Sequence, residues 1–181
     1  GVGGTLRPGG VTTFQRLATC DLAIDLLVAP SGRSPGALHR FPADSVGRTI
    51  AVDGGEATAT RRGACVAASD RSARLIGHRE ASMLRGGAGD DELVARAGVT
   101  VMAGGPGRDT FRAAGTTVIS LPTADIAAGE VVDCAEAEHV VIDTPLTRRG
   151  LEAAGIQFEH CFEDDDCDQP ANDADGACHG I

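Results

Sequence analysis

The sequence predicts an all-β protein: a right-handed parallel β-roll or β-helix solenoid with a short C-terminal tail held by disulfides. Three observations carry this prediction. A glycine-rich phrase recurs after two nine-residue units, an apolar residue recurs every nine residues, and aromatic residues are scarce, with five Phe and no Tyr or Trp among 181 residues. A narrow solenoid can fill its core with aliphatic side chains, whereas a globular enzyme of this length usually contains several aromatic rings.

The glycine-rich phrase occurs as GGAGDDEL from Gly86 and as GGPGRDTF from Gly104. Both copies fit G-G-x-G-x-D-x-U, in which U is a large apolar residue. In a roll of nine-residue units, each unit is a turn followed by a short strand, and two units complete one coil. Loops that begin 18 residues apart are then stacked neighbours, and a cation can lie between them.

An apolar ladder runs through the same region with a step of nine residues. Its members are Val66, Leu75, Leu84, Leu93, Met102 and Phe111. These are the inward positions from which repeat units build a shared core, since no single unit can bury itself. The unit between the two copies, 95–103, keeps little of the motif beyond Gly98 and Met102. The alternative is a glycine-rich loop region in another kind of all-β domain.

The two copies resemble the calcium-binding repeats of the hemolysin-type (RTX) family, over about residues 77–113. The resemblance implies a calcium ion between stacked loops, held by main-chain carbonyls and by the aspartates of both loops. The implied ligands are the carbonyls of Gly87, Gly89, Gly105 and Gly107 and the carboxylates of Asp91 and Asp109. Such a set suits Ca²⁺, which takes six to eight oxygen ligands. Two good copies imply one full site, to which Asp90 would add charge and Arg108 would not.

Short strands are predicted on the N-terminal side of the repeats. Residues 20–28 predict a strand, although so short an apolar run also fits a buried helical turn. Residues 29–48 are rich in Pro, Gly and Ser and predict a long excursion from the body, with His39 in solvent. The lead-in coils are predicted to use strands at Thr49–Val52, Glu56–Thr60, Ala64–Ala68 and Ala73–Ile76.

The solenoid is predicted to span residues 1–143, with its repeat core at about 66–121. Its last strands are predicted at 130–133 and 139–143, with 134–138 replacing the glycine loop. Residues 144–157 form the predicted C-terminal cap. Helix signals lie in 144–155, and Leu146, Leu151 and Ala154 would cover the open end of the solenoid.

The predicted tail, 158–181, is acidic and contains Cys161, Cys167 and Cys178. We expect at least two of these cysteines to pair within the tail, because no apolar core is available there to order it. Residues 172–176 (NDADG) place oxygen-bearing side chains before a glycine, as calcium loops do. A solvated acidic tail is the interpretation that the sequence favours over a second calcium loop.

Cysteine content and charge bear on the compartment and the partners. Six cysteines without a C-x-x-C pair indicate disulfides in an oxidising compartment, rather than reduced thiols or a zinc site. The net charge of −10 argues against nucleic acid as a partner and suits cations. No apolar run approaches the length of a membrane span. We expect a secreted or cell-surface protein, whose start without Met or signal peptide suggests a processed chain or a fragment.

These features favour a structural or adhesive role over catalysis. We expect a secreted or cell-surface, calcium-stabilised solenoid that self-associates, as in a filament, or that binds the extracellular matrix or the cell surface. One alternative is a parallel β-helix enzyme acting on polysaccharides, but no G-x-S-x-G, H-E-x-x-H or P-loop motif is present. Another is a calcium-dependent binding module, and the lack of Trp and Tyr counts against a glycan as its partner.

Overall fold

The computed structural model describes residues 25–27, 38–40 and 49–161, and it shows a parallel β-solenoid of about five turns. The predicted fold class is confirmed. A separate antiparallel pair joins β1 (Asp25–Leu27) to β2 (Leu38–Arg40). The solenoid strands are β3 Thr49–Val52, β4 Gly55–Thr58, β5 Ala64–Ala68, β6 Ala73–Ile76, β7 Ala81–Arg85, β8 Glu92–Val94, β9 Val99–Ala103, β10 Thr110–Ser120, β11 Val131–Asp143 and β12 Gln157–Glu159.

The solenoid strands form two parallel stacks that the chain visits alternately. One stack runs β3-β5-β7-β9 and the other β4-β6-β8. Strand β10 is long enough to continue both, because residues 110–112 pair with β8 and residues 116–120 pair with β9. Strand β11 then follows β10 over most of its length, and β12 pairs with the start of β11. Each coil therefore rests on the coil before it.

The nine-residue ladder points into the core, as the sequence predicts. All six ladder residues lie in one apolar cluster and are at most 2 % exposed. Register confirms the two-unit coil: Leu75 pairs with Leu93, and Leu93 pairs with Phe111, in adjacent coils. The predicted lead-in strands are confirmed as well, except that β4 spans Gly55–Thr58 and so begins one residue and ends two residues earlier than expected.

Parallel stacking continues after the nine-residue period ends. Phe111 pairs with Val132, and Val132 with Phe158, although these steps are longer than 18 residues. Residues 134–138, predicted as a loop, lie inside β11. The long strand turns the corner through register irregularities against β10, at Arg112/Ala114 and at Gly115/Thr116. Bulges of this kind bend a strand without a glycine loop.

The excursion predicted at 29–48 contains a strand, β2, and His39 lies in it, paired with Leu26 of β1. The rest of the excursion and the ends of the 20–28 run lie outside the described residues. So do the start of the chain and the possible calcium loop at 172–176.

A short helix covers the C-terminal end of the core. Helix α1 (Arg148–Ala153) begins after Thr147, whose hydroxyl accepts a hydrogen bond from the Gly150 N–H at 3.1 Å, as N-cap residues do. Leu151 is fully buried in the main core, and Leu146 packs against it. Among the described residues no helix has the length and apolar character needed to cross a membrane.

The chain returns to the solenoid after α1. A disulfide joins Cys134 on β11 to Cys161, two residues beyond β12. Cys161 is therefore bonded to the solenoid and not within the tail, and Cys167 and Cys178 lie outside the described residues. All three cysteines in the described part are in disulfides. The domain boundaries at 143 and 157 stay predictions, with β12 lying across the second of them.

The stack that contains β5, β7 and β9 buries both of its faces. The residues that alternate with the inward ones point to the opposite face of this stack and form a second apolar cluster. Its members are Cys65, Ala81, Met83, Val101, Val118 and Val141. Buried parallel sheets show such continuous apolar runs, because neither face meets water. The sequences of these strands are therefore mostly apolar, with Ser82 and Thr100 as buried polar exceptions, while β8 alternates in its burial.

Replacing Leu93 by Ala tests the inward packing of the ladder. The substitution should lower the free energy of unfolding by about 2–5 kcal/mol, because it leaves a cavity in a fully buried site. Urea denaturation followed by circular dichroism measures the loss. The matched control is Arg96→Ala on the following, exposed turn, which should change stability little. Equal losses in the two variants would contradict the packing.

Candidate metal site

The two glycine-rich loops, 86–91 and 104–109, lie directly on one another. The Gly89 N–H donates to the Pro106 carbonyl at 3.0 Å. Gly105 has a φ of 92°, and a Cβ there would clash with the Gly87 carbonyl oxygen beneath it. Gly107 has the same relation to Gly89. Glycine is needed because the stacked main chains leave no room for a side chain. All four predicted carbonyl ligands therefore belong to one pair of stacked loops.

Asp91 and Asp109 occupy equivalent positions at the ends of these loops, and both are buried. Each uses one carboxylate oxygen to bind the main chain. The Ala73 N–H donates to Asp91 Oδ1 at 2.7 Å, and the Asp91 N–H donates to Asp109 Oδ1 at 2.9 Å. The two aspartates thus tie three consecutive coils together.

The second oxygen of each aspartate, Oδ2, is buried and has no hydrogen-bond partner. A Cβ added to Gly86 would lie 2.5 Å from both Asp91 Oδ2 and the Gly104 carbonyl oxygen, so these two oxygens converge on one point. A buried, unpaired carboxylate oxygen is costly unless a proton or a cation compensates it. The residues present therefore fit a cation, and the Gly104 carbonyl joins the candidate ligands.

Glu130 is a third member of this row that the motif search does not find. Residue 110 of β10 pairs with residue 92 of β8 on one side and with residue 131 of β11 on the other. The residues before them, Asp91, Asp109 and Glu130, therefore occupy one position in three consecutive coils. Glu130 is fully buried. Its Oε2 accepts a hydrogen bond from the Ala127 N–H at 3.1 Å, and its Oε1 has no partner.

The carboxyl groups of this row resist ionisation. Burial raises the pKa of Asp109 to about 7, and repulsion from the carboxylates of Asp91, Asp90 and Asp125 adds to the effect. Burial raises the pKa of Glu130 to about 8, with further repulsion from Asp109 and Asp125. Burial also raises the pKa of Asp91. In the absence of a cation, protons compensate the row only in part at neutral pH.

Asp90 is paired with Arg108 of the second copy, and its charge still contributes to the raised pKa of Asp109. It accepts hydrogen bonds from the Arg108 N–H at 2.9 Å and from Arg108 Nη2 at 3.0 Å. These bonds hold the pKa of Asp90 below its usual value. The Arg of the second copy thus pairs with the extra Asp of the first, on the exposed side of the loops.

A second acidic group lies on the outer surface, at the C-terminal end of the described chain. The ligand atoms of Asp133, Glu159 and His160 lie within 4.8 Å of one another. Asp133 already has two partners, since Arg112 Nη1 lies 3.3 Å from its Oδ2 and His160 Nδ1 lies 3.0 Å from its Oδ1. Both oxygens of Asp133 are therefore already engaged by the protein, since the Ala135 N–H also donates to Oδ1 at 3.1 Å.

A scan of protein-family models and searches of curated proteins and of solved structures found no match to the chain. The resemblance to the RTX repeats accordingly stays a prediction that depends on the two loops and their spacing.

The raised pKa values predict that the cation-free protein loses stability as pH rises. A carboxyl group whose folded-state pKa is raised favours the folded state fully below its unfolded pKa, and this advantage disappears as pH rises through the folded pKa. With folded values of about 7 and about 8, the loss should fall between acid and mildly alkaline pH. In chelator, the melting temperature should therefore be higher at about pH 5 than at about pH 8.5.

Two variants separate this row from the other carboxylates of the chain. Asp109→Asn and Glu130→Gln carry no charge and should flatten the pH profile, whereas the exposed Glu138→Gln should leave it unchanged. A melting temperature that rises between these pH values in the wild type, and equally in all variants, would contradict the raised pKa values.

Proposed function

We propose that the chain is a calcium-stabilised structural or adhesive solenoid of a secreted or cell-surface protein. One observation carries the proposal. Two buried aspartates in consecutive coils, Asp91 and Asp109, each keep a carboxylate oxygen without a partner, beside two stacked glycine loops. A cation there would compensate both charges and would bind the folded chain only.

Calcium is the cation that this ligand set suits best. Its ligands would be the two aspartates, the carbonyls of Gly87, Gly89, Gly105 and Gly107, and the Gly104 carbonyl that converges with Asp91 Oδ2. Carboxylates and main-chain carbonyls in an irregular arrangement fit Ca²⁺, whereas Mg²⁺ demands near-ideal octahedral geometry and keeps several waters. The bound ion would supply positive charge to the row and would lock the two loops together.

The disulfides support an oxidising compartment. The bridge between Cys134 and Cys161 joins β11 to the segment after β12, and Cys65 is disulfide-bonded too. Stable disulfides occur mainly in secreted and cell-surface proteins, where calcium-binding modules also work with weak affinity. An extracellular location and a calcium ion as cofactor are therefore consistent with one another in this proposal.

Unpaired strand edges at the ends of the described solenoid favour self-association. Among the described strands β3, β4 and β12 each pair with only one solenoid neighbour, and β12 covers only the start of β11. An open edge of parallel strands is a template for another chain. We propose that copies of the chain associate through such edges.

The polysaccharide-active enzyme remains the alternative of another class. It would need carboxylates in a cleft, and one cleft of about 420 Å³ is lined by Glu80, Glu136 and Glu138. Glu80 already pairs with Arg62 at 3.4 Å, and both side chains are largely exposed. This arrangement is typical of a solvated edge, so the structural role is preferred.

Calcium should stabilise the protein, and its melting temperature should rise with the logarithm of the calcium concentration. At about 100 times the dissociation constant, the free energy of unfolding should increase by about 2.7 kcal/mol. Asp91→Asn and Asp109→Asn should each strongly reduce this stabilisation by calcium. Asn retains the oxygen that accepts the main-chain hydrogen bond, so the fold is kept while one charged ligand is lost. Differential scanning calorimetry, with isothermal titration for binding, measures both quantities.

The control for these variants is Asp70→Asn, an exposed aspartate in the turn below, which should respond to calcium as the wild type does. If the wild type shows neither a calcium heat nor a thermal shift, the proposed cofactor is wrong.

Self-association should depend on calcium. Sedimentation velocity should show larger species with calcium than with chelator, because chelation loosens the loops that hold the coils in register. The variant Asp91→Asn should sediment in calcium as the wild type does in chelator. A monomer under both conditions would contradict the assembly part of the proposal.

A further inference from the structure

We propose that Glu130 forms a second cation site together with Asp109 and Asp125, one coil above the site between the glycine loops. This upper site lies in a coil without the glycine-rich motif. The inference rests on the proposed function for the identity of the cation, Ca²⁺, and it is independent of that function in the residues it names.

The stacking register places Glu130 where the next aspartate of the row would be. Val131 pairs with Thr110, as Glu92 does on the other side. The Val131 N–H donates to the Asp109 carbonyl at 3.0 Å, as the Thr110 N–H donates to the Asp91 carbonyl at 2.8 Å. The main chain around Glu130 thus repeats the arrangement around Asp109, although the connection before it is not a glycine loop.

Buried oxygens without partners point to a ligand at this level. Glu130 and Asp109 are both fully buried, and Glu130 Oε1 and Asp109 Oδ2 have no hydrogen-bond partner. Together with Asp91 Oδ2, they give each of three consecutive coils one carboxylate oxygen of this kind. One ion between the glycine loops would compensate the charges of Asp91 and Asp109, but the charge of Glu130 would remain uncompensated.

Asp125 supplies the third carboxylate. It lies in the 3₁₀ turn Thr123–Asp125, in the connection between β10 and β11, and is partly buried. Its charge acts on both Asp109 and Glu130. The Asp125 N–H donates a hydrogen bond to the Pro122 carbonyl at 2.9 Å, which fixes the turn. Burial raises the pKa of Asp125, whereas the attraction of Arg85 lowers it and offsets the charge of Asp125 in part. The buried oxygens of Glu130 and Asp109 still have no hydrogen-bond partner, and a cation would compensate them.

A proton on Glu130 is the competing explanation. A proton on Glu130 removes only the charge of Glu130 itself, and it leaves the charge of Asp109, whose second oxygen is also buried and unpaired, in place. A cation satisfies Oε1 and compensates Asp109 and Asp125 at once. Oxygen-only ligands of high charge fit a hard divalent cation, as they do in the lower site.

Native mass spectrometry and calorimetric titration of the full chain with CaCl₂ test the proposal. The wild type should bind two ions. Glu130→Gln should bind one, with the upper affinity lowered about tenfold or more, as for lost ligands or their supports. Asp125→Asn should weaken the binding of the same ion. This second variant keeps the proposal testable if Glu130→Gln does not fold. The exposed Glu138→Gln, on the strand that follows Glu130, is the matched control and should bind two.

The outcomes separate this inference from the proposed function. If Asp91→Asn still binds one ion, and the double variant Asp91→Asn with Glu130→Gln binds none, the result supports two sites. One ion in the wild type, unaffected by Glu130→Gln and Asp125→Asn, overturns the upper site and leaves the proposed function standing. A Glu130→Gln variant that is stabilised in chelator, with unchanged calcium binding, assigns Glu130 a proton and also overturns the upper site. No binding in the wild type overturns both.

Discussion

Each coil of the solenoid has to provide hydrogen-bond partners for the main-chain groups of the neighbouring coil, at the corners as well as along the strands. The Gly77 N–H donates to the Val94 carbonyl, and the Ala95 N–H donates to the Arg112 carbonyl, both at 2.8 Å. Buried main-chain groups must be paired, so successive corners have to follow one path. The glycine loops are one consequence, since the stacked loops touch through main-chain atoms.

The same constraint explains why carboxylates are buried at the ends of the glycine loops. Asp91 and Asp109 each accept a main-chain N–H through one oxygen, which an asparagine could do as well. Only an aspartate leaves a charged oxygen over, and that oxygen costs stability unless something compensates it. Holding the coils together needs only the first oxygen, whereas the proposed cation would need the second, so the proposal explains why an aspartate stands where an asparagine would hold the coils equally well.

The sequence predicts the ladder and the loops because the nine-residue period is intact from Val66 to Phe111, and the inward position can be counted. It does not predict Glu130, because the connection between β10 and β11 ends the period before that residue is reached. The one local signal is an acidic residue directly before an apolar strand, as at Asp109. The pairing of Cys134 with Cys161 could not be predicted either, since six cysteines allow 15 connectivities and the stacking of β12 decides between them.

Several carboxylates on the outer surface pair with arginines of the protein itself, unlike those of the buried row. Along β4, β6 and β8 Arg74 lies between Glu56 and Glu92, at 2.9 and 2.8 Å, and Arg112 continues this alternation to Asp133. Such exposed pairs contribute about 0–1 kcal/mol each, but they give these outward carboxylates charged partners within the protein. The buried row at Asp91, Asp109 and Glu130 has carboxylate oxygens without such partners. The proposed cation would therefore compensate most charge there, between the coils, and its binding would stabilise their stacking.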